Sequence, residues 1–228
     1  MPTRRALLTW VQAVCLVCVA MSSTGCNAVL LMGWLIGGPP QTDPDFHIQT
    51  KHEITDKKNK PVLVVCFAPP ELKWDNADVD HNLARHIAAQ LREKKIPVID
   101  TDKVHAWTDK NPNWSKPAEI GAEFDAGYVI YVDLRQFSLF EERSAELYRG
   151  RADLTVEVID MNDGKNSTSI YSKSIHSMFP TTIGVSVDDY EYNTWKKMYM
   201  SALSGEIGRL FYPEPTGAAM PNSALPPG

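Results

Sequence analysis

The chain has 228 residues, 43% of them apolar, and a formal net charge of −5. That is long enough for one hydrophobic core, and the acidic balance disfavours nucleic acid and anionic lipid as main partners.

Arg4 and Arg5 precede an apolar run from Ala6 to Met21, the form of a secretory signal. As a helix the run reaches only about 24 Å, short of the roughly 30 Å hydrocarbon layer. Ser23-Thr24-Gly25-Cys26 then resembles a bacterial lipobox, with Ser23 standing where an aliphatic residue is usual. The resemblance implies that residues 1–25 are removed as a signal peptide and that Cys26 carries lipid, such as palmitate. An ordinary signal with an incidental cysteine, or an uncleaved anchor, is the alternative. Cleavage removes two cations and no acid, leaving −7, and leaves two cysteines, Cys26 and Cys66. With Cys26 lipidated no intramolecular disulfide forms. The apolar run Ala28 to Gly37 is placed to lie against the membrane beside the acyl chains, where one chain alone holds only marginally.

Residues 26–60 are read as anchor and tether: Pro39 to Lys60 is polar and holds three prolines, though "FHIQ" can pair as a short edge strand. One α/β domain is expected over 61–212, followed by a disordered proline-rich tail over 213–228. The domain opens with Val62 to Phe67, whose unbroken apolar character predicts a strand covered on both faces. Cys66 belongs to this run as a small core residue. A helix follows, capped by Asp75 or Asn76, with Val79, Leu83, Ile87 and Leu91 on one stripe beside Ala84 and Ala88. Arg92, Lys94 and Lys95 suit its negative end, and a solvated surface accounts for this basic cluster and for Lys57 to Lys60.

"IPVID" predicts a second strand, parallel to the first through a right-handed crossover. Short helices are expected near Asp102–Asp109 and Ser115–Phe124, the latter with Ser115 as cap and Pro117 in the first turn. "GYVIYVDL" is the third strand. From Arg149 to Asp160, Ala152, Leu154, Val156 and Val158 alternate with Arg151, Asp153, Thr155 and Glu157, as in a strand with one wet face. Asn162-Asp163-Gly164 marks a turn, and Ser167 to His176 the returning strand of a hairpin. A last helix, Asp188 to Phe211, places Trp195, Met198, Tyr199, Ala202, Leu203, Ile207 and Leu210 on one face, closing over the sheet. The fold class is mixed α/β with α+β character in its C-terminal half.

Catalytic signatures are absent: there is no Walker A loop, G-x-G-x-x-G, G-x-S-x-G, H-E-x-x-H or S-x-x-K. Asp78, Asp80, His81 and His86 are the nearest approach to a metal set. His81 and His86, five apart, fall on different helix faces, and a solvated surface explains them. His47 and His52 fall in the tether. Asp188, Asp189 and Glu191 suit a helix N-terminus and lack the spacing of a calcium loop. Asp153 and Glu157 share a wet strand face without the opposing wall of a carboxylate-pair cleft. No cofactor or metal site is therefore expected. Trp74, Trp107 and Trp114 sit in or beside loops rich in proline and charge; they are either loop packing onto the core or a contact surface for a protein partner.

"VLVVCFAPPELKWDNADVDHNLARHIAAQLREKKIPVID" with "IGAEFDAGYVIYVDLRQF" resembles the α/β domain shared by penicillin-binding-protein activator lipoproteins, the curli-secretion lipoprotein and the N-terminal domain of the Tol-system β-propeller protein. The likeness covers about Val62 to Asp160, and its motifs define a fold, with no functional residue to carry over. "FDAGYV" departs from the family's Gly-Ala-Asp order, and nothing after Phe137 supplies the curli protein's membrane-crossing hairpins. As a whole the chain is similar to lipoproteins of planctomycete-type bacteria, which implies the cell envelope, facing the periplasm. The expected function is non-catalytic binding of another envelope protein, as a regulator or assembly factor. A subunit of an oligomeric secretion or envelope complex, and an enzyme without a familiar motif, are the alternatives.

Overall fold

The computed structural model describes residues 40–54, 60–162 and 167–215. The signal segment, Cys26, most of the Asn162-Asp163-Gly164 turn and nearly all of the tail lie outside the described residues. Packing divides the chain into Met1–Thr42 and Asp43–Gly228, and the main sheet with its helices lies in the second unit. In order these are α1 (Asp45–Thr50), β1 (Val62–Phe67), α2 (Pro70–Lys73), α3 (Val79–Glu93), α4 (Thr101–Lys110), α5 (Pro117–Glu123), β2 (Tyr128–Phe140), β3 (Leu147–Asp160), β4 (Thr168–Phe179), β5 (Val185–Ser186) and α6 (Tyr192–Gly208).

The fold is mixed α/β, with strand order β1-β2-β3-β4 and β5 joined to the start of β3. β1 and β2 run parallel, Val62 opposite Tyr128 through Phe67 opposite Asp133, and β2–β3 and β3–β4 are antiparallel. β1 is apolar throughout because both its faces are covered: Val62, Val64 and Cys66 join the larger core with α3 and α6, while Leu63 and Val65 join a smaller core with Val104 of α4 and Ile120 of α5. β3 alternates as expected, with Ala152, Leu154, Val156 and Val158 buried and Arg151, Asp153 and Glu157 half-buried. Thr155, expected on the wet face, is itself buried.

The expected stripe of α3 is buried in full. α6 buries more than one stripe, adding Met200 and Ser204, because α3 packs alongside it. Tyr199 of α6 lies so close to the sheet that a Cβ on Gly150 would stand 2.2 Å from its ring, so β3 requires glycine at that point.

Several local expectations change. Ile96 to Asp100 makes one parallel bridge, Val62 to Val98, and no full strand. Pro97 has no N–H to give a ladder, and Asp100 caps α4 at once, its carboxylate accepting from the Asp102 N–H at 3.0 Å. Asp78 holds the cap position of α3 without a side-chain bond; Asn76 is buried, its Oδ1 3.5 Å from the Tyr192 hydroxyl. Lys116 precedes α5, and the Ser115 hydroxyl donates to Glu119 instead.

The expected tether and its "FHIQ" edge strand contain a helix, α1. Phe46 is 1% exposed among the rings of Tyr128, Tyr171 and Phe211, and its N–H donates to the Leu210 carbonyl at 3.0 Å. Ile54 is buried as well. A residue so enclosed belongs to the core, and its segment cannot act as free tether.

Candidate functional site

β1 ends in Cys66 and Phe67, and Ala68-Pro69 then leads into α2, a single turn begun by Pro70. Proline fixes the backbone that a first helical turn needs. This short path brings Lys73 back over the strand end. α3 contributes Asp80 and His81, α4 contributes Thr101, Val104, His105, Thr108 and Asp109, and Trp114 closes the far side. Together they line a cleft of about 180 Å³, beyond the carboxyl end of the strand where open α/β sheets receive ligands.

The charges in the cleft are engaged with one another. Lys73 pairs with Asp80, and the other Asp80 oxygen accepts from the His81 N–H at 2.9 Å. The His81 imidazole stacks on that of His105, ring centres 4.1 Å apart and planes 18° from parallel. His81 Nε2 lies 3.2 Å from Asp102, Arg85 Nε lies 3.7 Å from the same oxygen, and His105 Nε2 is 3.6 Å from Asp109. Burial lowers the pKa of His81, and the charge that His105 would carry lowers it further, against the pull of Asp102. Burial, with Asp80 adding to it, pushes the Cys66 thiol well above its ordinary value. Cys66 is therefore a neutral core thiol rather than a nucleophile.

The tryptophans part company. Trp74, just after α2, is 81% exposed, and Phe67 on the same path is 41% exposed. Trp114 lines the cleft and meets Tyr131 edge-on at 6.3 Å. Trp107, within α4, and Trp114 both pack against the smaller core, as the loop-packing alternative has it, whereas Trp74 stands out from it.

His81 and His86 do fall on different faces: His81 lines the cleft, and His86 a separate groove between α3 and α6. The stacking of His81 on His105 had no sequence signal, since it depends on how α3 and α4 meet. Asp153 pairs across the strands with His176 at 2.6 Å. Glu191 holds the cap position of α6 without a side-chain bond. Among the described residues no group of three or more His, Cys, Asp or Glu is placed to hold a metal ion.

No protein-family model and no curated protein matches this sequence. Among solved structures the chain is similar to a PelC dodecamer from Paraburkholderia phytofirmans, at TM-score 0.40 and 13% identity, covering 75% of this chain and 95% of that one. It is similar also to lipoprotein GNA1162 from Neisseria meningitidis, at TM-score 0.41 and 15% identity over 65% of this chain and 97% of that one. A third is the hypothetical protein CT253 from Chlamydia trachomatis, at TM-score 0.37 and 16% identity over 67% and 91%.

Proposed function

We propose that this chain is a non-catalytic envelope lipoprotein, held to a membrane through Cys26, that binds another envelope protein through the rim of the β1 cleft. One observation carries the reading: Trp74 is 81% exposed just after α2, on the path that leaves the half-exposed Phe67 at the end of β1. Aromatic side chains held out of a core by a rigid turn are the anchors that dominate protein interfaces. The polar groups behind them support binding over turnover, because Asp80 is matched by Lys73 and the Cys66 thiol stays protonated.

The test is photo-crosslinking from position 74 in native membranes of cells fed labelled palmitate. A labelled chain joined to one dominant partner is expected. Trp74→Ala should weaken capture about thirtyfold, the equivalent of about 2 kcal/mol for a buried aromatic anchor, with the thermal midpoint unchanged. Adducts with copies of the chain alone would favour the oligomeric-subunit reading. A Cys26→Ala chain that keeps the label would remove the lipid anchor, and an unfolded Trp74→Ala with no adduct would make Trp74 a structural residue.

A further inference from the structure

A second concavity, of about 770 Å³, lies between α3 and α6 and is closed at one end by the start of α4. Two helical stripes face each other across it. Asn82, Arg85, His86, Ala89 and Arg92 follow the three- and four-residue spacing of one α3 face, and Asn193, Lys196, Lys197 and Met200 do the same on α6. The groove gathers four fixed cations on a chain whose net charge is −5.

Those cations are weakly committed. Arg85 reaches Asp102 only at 3.7 Å, sharing it with His81. Arg92 donates to the Ile99 carbonyl at 3.3 Å. Among the described residues no carboxylate stands at salt-bridge distance from Arg92, Lys196 or Lys197. The two acids at the α4 end are occupied, Asp100 as the helix cap and Asp102 with His81 and Arg85. Arg92, which the sequence offers as ordinary solvated charge, thus joins a directed set. Arg85 and Arg92 are two helical turns apart, about 10 Å, a span suited to more than one anionic group in line. Guanidinium forks and asparagine amides are the donors that match tetrahedral oxyanions.

We infer that the groove between α3 and α6 binds phosphoryl groups of a linear or multiply phosphorylated ligand, either free in solution or borne on a lipid headgroup. The site is separate from the rim at Trp74, so either can fail alone.

The test uses the full chain in neutral detergent, with inorganic tripolyphosphate as the free probe and micelles doped with phosphatidylglycerol as the lipid-borne one, read by phosphorus NMR line broadening and calorimetry. At least one probe is expected to bind at low salt and to weaken as salt rises, as exposed ion pairs do. Lys196→Ala with Lys197→Ala should lower that affinity at least tenfold and leave the thermal midpoint unchanged. The same charge removed elsewhere, by Lys110→Ala with Lys116→Ala, should have little effect. Groove-dependent binding of tripolyphosphate identifies a free ligand, and groove-dependent binding of doped micelles alone identifies a lipid headgroup. Binding of neither probe, or equal loss in the control variant, overturns the inference.

Discussion

Two tyrosines show how one side chain can be structural by opposite means. The Tyr171 hydroxyl donates to the Asp45 carboxylate at 2.6 Å, and Lys173 stands 3.4 Å from the same oxygen. The Tyr199 hydroxyl is buried, and neither it nor the buried Ser177 hydroxyl beside it meets hydrogen-bond geometry. Tyr199 earns its place by ring contacts, stacking on Phe137 and Phe179. Removing a hydroxyl that holds a charged acceptor costs about 1–2 kcal/mol, whereas removing one that has lost its water without a partner costs nothing or stabilises. Tyr171→Phe should therefore lower the urea midpoint, and Tyr199→Phe should leave it level or raise it. Equal losses in both variants would refute the contrast. Burial of Cys66 was legible, because it lies in an apolar run, but the exposure of Trp74 was not. Sequence cannot distinguish a tryptophan packed under a loop from one held outside it, as the different placements of Trp74 and Trp107 show.

At the scale of elements, periodicity carried the reading where an element was long. α3 shows its stripe in the sequence and buries it, and the alternation of β3 separates core from surface except at Thr155 and Ile159. α1 has six residues, too few for a period, and tertiary contacts decide its state: Phe46 enters the core and Asp45 meets Tyr171 and Lys173. The cleft was only half legible for the same reason. Its location follows from β1 and the proline turn, but the His81–His105 stack arises where two helices meet. Phe46→Ala should destabilise the fold by about 3–5 kcal/mol, the usual cost of emptying an enclosed phenylalanine site. Chemical denaturation of the variant measures this directly. A loss below about 1 kcal/mol would return residues 45–54 to the tether.

Across the whole molecule, the shifted groups predict a stability plateau with two falling edges. An unfolded imidazole titrates near 6.5, while burial holds His81 and His86 below that value in the fold. Below 6.5, until the folded values are passed, the unfolded chain binds more protons, so stability falls as pH falls. Further down, carboxylates add to the loss. The hydrogen bond from Arg149 holds Glu141 below 4.5. Burial raises Asp45, but the bonds from Tyr171 and Gln49, with Lys173, outweigh it and leave its pKa below 3.8. Each such group contributes stability above its unfolded pKa that disappears as pH falls through the folded one. Cys66 and the tyrosines set the alkaline edge with the opposite sign: burial holds the Cys66 thiol well above 9.0, so its contribution starts to fall first, and burial raises Tyr131 from 10.0 to about 12 and also raises Tyr171 and Tyr199. The tyrosine contribution is full below 10 and is lost as pH rises toward the folded values. Urea midpoints measured from about pH 4 to pH 11 should be level between about 7 and 8 and decline on both sides. His81→Asn combined with His86→Asn should flatten the decline just below 6.5 and leave the alkaline edge unchanged. An acid limb identical to that of the parent chain would mean that these two imidazoles do not carry it.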